Sequence, residues 1–189
     1  MVMNERDALK FLQTEWTRMN SADKPFALSV NFCAPHHHDG KKEQYSPQNK
    51  TKHLYKKIRH PFAKTATDEA WRKMPYFFNH DTADARVCWR DRFDEPIKAQ
   101  IMIKKYLHLI SGVDMTCGKI LEEPEQQNLT NNTMVIFTTD NGYYHVKHGI
   151  ADKQYAHQES ARVPLIFQDP RIPKKLAGGR NDDLTLSID

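Results

Sequence analysis

The stretch Val-Ile-Phe-Thr-Thr-Asp-Asn-Gly, residues 135–142, constrains this chain more than any other. Five residues suited to a buried strand run straight into a carboxylate, an amide and a glycine. His148-Gly149 and Asp152-Lys153 follow within one loop. Asp140 and Asn141 set a carboxylate beside an amide oxygen, donors that hard divalent cations prefer. Lys153 adds a compact positive charge suited to an anionic oxygen. Asp-Asn-Gly is also ordinary turn composition, so the tripeptide alone leaves both a turn and a site open.

The flanking segments decide the context. Residues 4–20 predict an amphipathic helix, with Ala8, Leu12, Trp16 and Met19 at spacings of four, four and three on one face. Pro25 ends that pattern. "FALSVNF", residues 26–32, predicts a short buried strand that ends in a second polar terminus, "CAPHHHDG". Residues 40 to about 95 read as irregular, with Pro47, Pro61 and Pro75, a loop-rich segment of a length that is commonly functional. Helical period returns from residue 97 to 123 through Ile101, Tyr106, Leu109, Ile110, Val113 and Ile120. Gly112 and Gly118 weaken it, leaving it open to division into two pieces. Strands are predicted at 134–138 and 163–167. Helix, strand, long helix, strand, strand argues for a layered α/β domain, and ligands in such folds gather at the carboxyl ends of strands.

Composition narrows the function classes. A mean hydropathy of -0.77 is polar for a compact α/β domain, so much of the chain is expected to be surface loop or covered by something else. The net charge of +4 is modest, and the one dense basic run, "KTKHLYKKIR" at residues 50–59, reads as a solvated face or a contact for a sulfate or phosphate polymer. Cys33, Cys88 and Cys117 are too few and too spread for a disulfide framework. No feature points to nucleic acid or to a membrane. The start of the sequence has no signal-peptide layout, and compartment and oligomeric state stay open. Asn49, Asn128 and Asn131 open glycosylation sequons, triplets that also arise by chance.

The ordered set of motifs is more specific than any one of them. "PFALSVNFCAPHHHDG", then "YLHLISGVDMTCGKILEE", then "NTMVIFTTDNGYYHVKHGIADKQYAHQESARVPLIFQDPR" resembles the sulfatase family of the alkaline phosphatase superfamily. The resemblance implies a partial alkaline phosphatase-like αβα sandwich over residues 1–189, with a loop-rich insertion at about 40–95. It implies that Asp140 and Asn141 ligate a divalent metal, usually Ca²⁺ with Mg²⁺ as the variant, and that His36 and Lys153 contact the sulfate and the leaving oxygen. His148 stands in the His-Gly match as a further substrate contact, and Glu159 and Arg162 are expected to brace the lysine loop. The implied reaction is metal-assisted hydrolysis of a sulfate ester on a sulfated small molecule, aryl sulfate or glycan.

Other family parts do not occur in this sequence. No Cys/Ser-x-Pro-x-Arg motif supplies the residue that becomes formylglycine, the nucleophile of the relatives. "CAPHH" imitates its start, but His37 stands where the arginine would be, and Cys33 is expected to be a small buried residue. The chain therefore reads as the middle and later part of a sulfatase, cut at both ends, with catalysis by the chain alone not expected. Val146 and Lys147 replace a glycine and an acidic residue of the relatives. A valine would strain the loop if that position has positive φ, and Lys147 would weaken cation binding if it pointed inward. The alternatives are a binding module for sulfated or phosphorylated polymers, a phosphoesterase of the same superfamily, and a Zn²⁺ site from His145, His148 and His157.

Overall fold

The computed structural model describes residues 2–16, 24–183 and 185. Its helices are α1 (Val2–Lys10), α2 (Asp68–Arg72), α3 (Asp84–Phe93), α4 (Pro96–Gln126) and α5 (Gln158–Ala161). Its strands are β1 (Val135–Thr138) and β2 (Leu165–Gln168).

α1 continues through a wider-wound turn, Phe11–Glu15, and its stripe of Ala8, Leu12 and Trp16 is buried as the spacing predicts. Met19 lies outside the described residues. α4 is one uninterrupted helix of 31 residues, about 46 Å long at 1.5 Å per residue. Pro96 opens it at a position whose N–H has no partner to lose. The expected division at the glycines does not occur, because a buried face of Ala99, His108, Leu109, Gly112, Val113 and Thr116 holds the helix together. That burial outweighs two glycine penalties of about 1 kcal/mol each. Thr116 Oγ1 donates to Glu5 Oε2 at 3.1 Å, tying α1 to α4.

Two expectations are corrected. Residues 26–32 form no strand: the segment is extended and its exposure alternates residue by residue, yet it pairs with no strand among the described residues. Helix α1 takes its apolar side instead, with the Phe26 ring 4.5 Å from Trp16. Residues 40–95 are less irregular than they read, for α2 and α3 both lie there. Thr67 caps α2 by accepting the Ala70 N–H at 3.1 Å. The buried face of α3 is Ala85, Arg86, Trp89, Arg92 and Phe93, and two arginines inside the stripe hide its helical period from a hydrophobicity reading.

β1 and β2 pair antiparallel, with Val135 opposite Gln168 and Thr138 opposite Leu165. Ile136, Ile166 and Phe167 are exposed on this ribbon. The core sits instead between the helices and the loop that follows β1. Val146 and Ala151 pack with Trp89, Phe93 and Ala99, and Tyr144 and Ile150 pack with Trp71 and Ala85. A loop is thus inserted into the core by its apolar side chains, which fixes the polar residues between them.

Gly142 shows how closely that loop is held. Its N–H donates to Ser160 O at 2.7 Å, and a Cβ would stand 2.8 Å from the Arg162 carbonyl and closer still to that of Glu159. Backbone cannot yield cheaply there, so Gly142→Ala is expected to lower stability by about 1–3 kcal/mol. The urea unfolding midpoint checks this, with Gly118→Ala as the opposite comparison: its Cβ meets nothing within 4 Å, and it is expected to raise stability by up to about 1 kcal/mol.

Candidate functional site

Asp152 organises the polar side of the loop. It is 4% exposed, and Arg92, 2% exposed, brings Nη2 to 2.8 Å from both of its carboxylate oxygens. Tyr143 donates its hydroxyl to Asp152 Oδ1 at 2.6 Å, and Arg92 Nη1 donates to Gln44 Oε1 at 2.9 Å. Burial alone would raise the Asp152 carboxyl, but hydrogen bonds from Cys88 and Tyr143 and the Arg92 charge hold it below its usual range. The same burial, with Asp152 alongside, pushes the Cys88 thiol up to about 12, so Cys88 stays a protonated donor.

The histidine turn docks on this anchor. The His36 N–H donates to Cys33 O at 2.9 Å and closes the turn. Cys33 is exposed on it rather than buried, because the turn faces solvent at that end. His37 is buried, with Nδ1 3.6 Å from Asp152 Oδ1 and Nε2 2.6 Å from Asp39 Oδ1. His36 is exposed, its ring stacked on His37 at 4.6 Å and its Nδ1 2.8 Å from the His37 carbonyl. His36 and Lys153 are therefore joined through their neighbours, His37 and Asp152.

The other predicted residues lie as follows. Asp140 is exposed at the end of β1, and no hydrogen bond or ion pair among the described residues engages its carboxylate. Asn141 donates its amide to Gly142 O at 2.6 Å, which leaves the amide oxygen open. Lys153 is half-buried, and its backbone N–H donates to Gln154 Oε1 at 3.1 Å. His148 turns to Glu159, 3.4 Å from Oε1, and Lys147 reaches the same oxygen at 3.3 Å. Glu159 thus braces the lysine loop at its 147–148 turn, and Arg162 is exposed. Among the described residues no hydrogen bond or ion pair joins any two of His36, Asp140, Asn141, His148 and Lys153.

Three sequence concerns resolve. Val146 has φ −111° and is unstrained; the positive φ falls on His145 (54°), His148 (60°), Gly149 (63°) and Asp152 (65°). Lys147 is paired with Glu159 and does not stand free beside Asp140. The zinc triad is not assembled: His145 packs on Tyr106 and Tyr143 at 4.5 and 4.8 Å, whereas His148 and His157 face each other at 5.8 Å beside Tyr144. Sequence reasoning missed Asp152, Arg92 and Tyr143. The available signal was the aspartate held between the apolar pair Ile150-Ala151 and Lys153.

These features define the class first. An αβ chain that carries its polar loops beyond β1 and beyond an extended segment shares the alkaline phosphatase-like fold of its structural neighbours. The crystal structure of the Bacteroides fragilis protein yidJ superposes at a TM-score of 0.57 with 27% identity, over 89% of this chain and 30% of that one. A protein solved with its substrate D-glucosamine-2-N,6-O-disulfate superposes at 0.64 with 19% identity, over 89% of this chain and 42% of that one. The sulfatase family profile matches residues 6–189, and the chain belongs to that family. The N-acetylglucosamine-6-O-sulfatase of Bacteroides thetaiotaomicron is 30% identical over 92 residues, 49% of this chain and 16% of that protein. The chain thus spans less than a fifth of that relative's length.

Two predictions follow from the anchor and its neighbour. Asp152→Ala leaves the Arg92 charge buried and unpaired, and is expected to cost about 3–5 kcal/mol in urea unfolding. His145 is pushed from its usual 6.5 down to about 4 by burial and by Lys147. The unfolded chain then binds a proton the folded chain refuses, so this contribution to stability falls as pH drops through 6.5 and levels off below about 4. His145→Gln is expected to flatten that part of the Tm–pH curve relative to the unsubstituted chain.

Proposed function

We propose that residues 1–189 form part of a sulfatase catalytic domain, with the helical 40–95 segment built into its core, and that they bind the sulfate and the cation of a sulfated glycan. The observation that carries this reading is the Asp152 anchor, which ties the His36 turn to the loop bearing Lys153 in a chain that matches the family over residues 6–189. His36 and Lys153 are assigned to the sulfate oxygens and the leaving oxygen, and His148 to an outer substrate contact. Preorganised cationic and N–H groups stabilise charge that develops on such oxygens. His36 gives its Nδ1–H to the His37 carbonyl at 2.8 Å, so its contact with a sulfate oxygen calls for a second N–H on Nε2, the imidazolium form.

Asp140 and Asn141 fit a hard cation, Ca²⁺ or Mg²⁺. Among the described residues, one offers a carboxylate without a partner, the other an open amide oxygen. Ca²⁺ takes about six to eight oxygens, so this pair supplies part of a shell. A bound cation would neutralise sulfate charge as a Lewis acid. The substrate class is a 6-O- or N-sulfated glucosamine unit, supported by what the similar proteins named above are said to act on or hold. Formylglycine in relatives supplies the nucleophile, and no corresponding motif occurs in these residues. The assigned work of this chain is therefore to hold and polarise the ester.

Calorimetry tests the reading. Ca²⁺ is expected to bind the chain and to lose ten-fold or more in affinity in Asp140→Ala. Glucosamine-2-N,6-O-disulfate is expected to bind more tightly with Ca²⁺ present and to lose at least ten-fold in Lys153→Ala. Aryl sulfate turnover by the chain with Ca²⁺, abolished by Lys153→Ala, would show that the chain carries its own nucleophile and overturn its assignment to binding alone.

A second reading rests on a separate surface. The basic run lies along α4, held by reciprocal bonds between the Gln100 amide and the His60 backbone at 2.8 and 2.9 Å. Lys52, Lys56, Lys57 and Arg59 are exposed there, beside an open groove of about 470 Å³. Salt-sensitive heparin retention that survives Lys153→Ala would favour a polymer-binding module.

A further inference from the structure

His37 faces two carboxylates with one proton to give. Its Nε2 is 2.6 Å from Asp39 Oδ1, while its Nδ1 is 3.6 Å from Asp152 Oδ1 and makes no hydrogen bond. A neutral imidazole carries one N–H. Given to Asp39, that proton leaves the buried Nδ1 lone pair turned on the Asp152 carboxylate. Given to Asp152, it leaves Nε2 and Asp39 Oδ1 as two acceptors in contact. A cation bound between Nε2 and Asp39 removes the conflict, because the proton then belongs on Nδ1, toward Asp152. Metal-bound histidines commonly give their second ring N–H to a carboxylate in this way. Arg92 does not oppose the arrangement, since its Nη2 is already held by both Asp152 oxygens at 2.8 Å.

A third donor stands beside these two. With its Nδ1–H committed to the His37 carbonyl, His36 presents Nε2 as a free lone pair. One ligand atom from each of His36, His37 and Asp39 falls within 4.8 Å of the other two. Tetrahedral Zn²⁺ at about 2.0–2.1 Å from its ligands needs them roughly 3.3 Å apart. Asp39 Oδ1, 2.6 Å from His37 Nε2, opens slightly to admit the ion and His36 closes on it; both are exposed, while buried His37 is the fixed member. Two imidazoles and a carboxylate suit Zn²⁺ far better than Ca²⁺.

We propose that His36, His37 and Asp39 form a Zn²⁺ site, with Asp152 orienting His37 and water completing the shell, and that filling it withdraws His36 from the sulfate. The second clause rests on the sulfatase reading above; the zinc site does not. Zn²⁺ at this turn is thus an inhibitor that acts without displacing the cation at Asp140 and Asn141.

The experiment is competition for Zn²⁺ alone between the 189-residue chain and a chromophoric chelator at pH 7. One Zn²⁺ per chain is expected, with affinity reduced ten-fold or more in His36→Ala and in Asp39→Ala. His38→Ala, an exposed neighbour outside the cluster, is expected to bind as the parent does. Both informative substitutions are on the surface, and circular dichroism confirms that the fold is kept. Absence of a site in the parent, or equal loss in His38→Ala, overturns the proposal. A second arm titrates glucosamine-2-N,6-O-disulfate with and without Zn²⁺. Weakening by ten-fold or more, absent in Asp39→Ala, supports the inhibitory clause, and unchanged affinity overturns it. A chain that takes Zn²⁺ at His36 and Asp39 but never binds the sulfated sugar overturns the sulfatase reading and that clause, and leaves the zinc site standing.

Discussion

The buried pair of Arg92 and Asp152 is the interaction on which the arrangement of this chain depends. Removing two charges from water is expensive, and such a pair contributes little net stability unless further hydrogen bonds complete it. Here they do: Gln44 takes one arm of the guanidinium, and Tyr143 and Cys88 give hydrogens to the carboxylate. What the pair supplies is position. It ties α3 to the loop after β1, and through His37 it brings the histidine turn to the same place.

That loop is also held in an unusual backbone conformation. Four of the eight residues from 145 to 152 are left-handed, three of them not glycine. The non-glycine ones each cost of order 1–3 kcal/mol and persist only where the surroundings over-determine them. The surroundings here are the apolar side chains of Tyr144, Val146, Ile150 and Ala151, seated among the helices on either side of the strained positions. Lys153 therefore leaves a rigid support, which suits a group that must meet an anion without reorganising.

Much of the framework was legible because its signals are local and periodic. Ala8, Leu12 and Trp16 announced α1, and the runs around residues 135 and 165 announced the two strands. The ordered motifs announced the family. Pairing was not legible: residues 26–32 have the alternation of a strand, but alternation cannot say whether a partner strand is present. α3 was hidden because Arg86 and Arg92 occupy its buried face. The anchor itself was out of reach, since Arg92 and Asp152 lie 60 residues apart and each looks like an ordinary surface charge. Glu159 braces the loop that leads to Lys153 through Lys147 and His148, partners the sequence did not specify.

The seat of Arg86 has an optical consequence. Its guanidinium lies 4.1 Å from the Trp71 ring and 4.0 Å from the Trp89 ring, while its Nη1 holds the Gly149 carbonyl at 2.7 Å. Two of the three indoles in the chain therefore flank the tether of the loop that follows β1, and the third, Trp16, sits against Phe26 on α1. Indole emission shifts to longer wavelength as water reaches the ring. The intrinsic fluorescence of this protein is thus expected to report whether that loop is docked, a built-in gauge that needs no label.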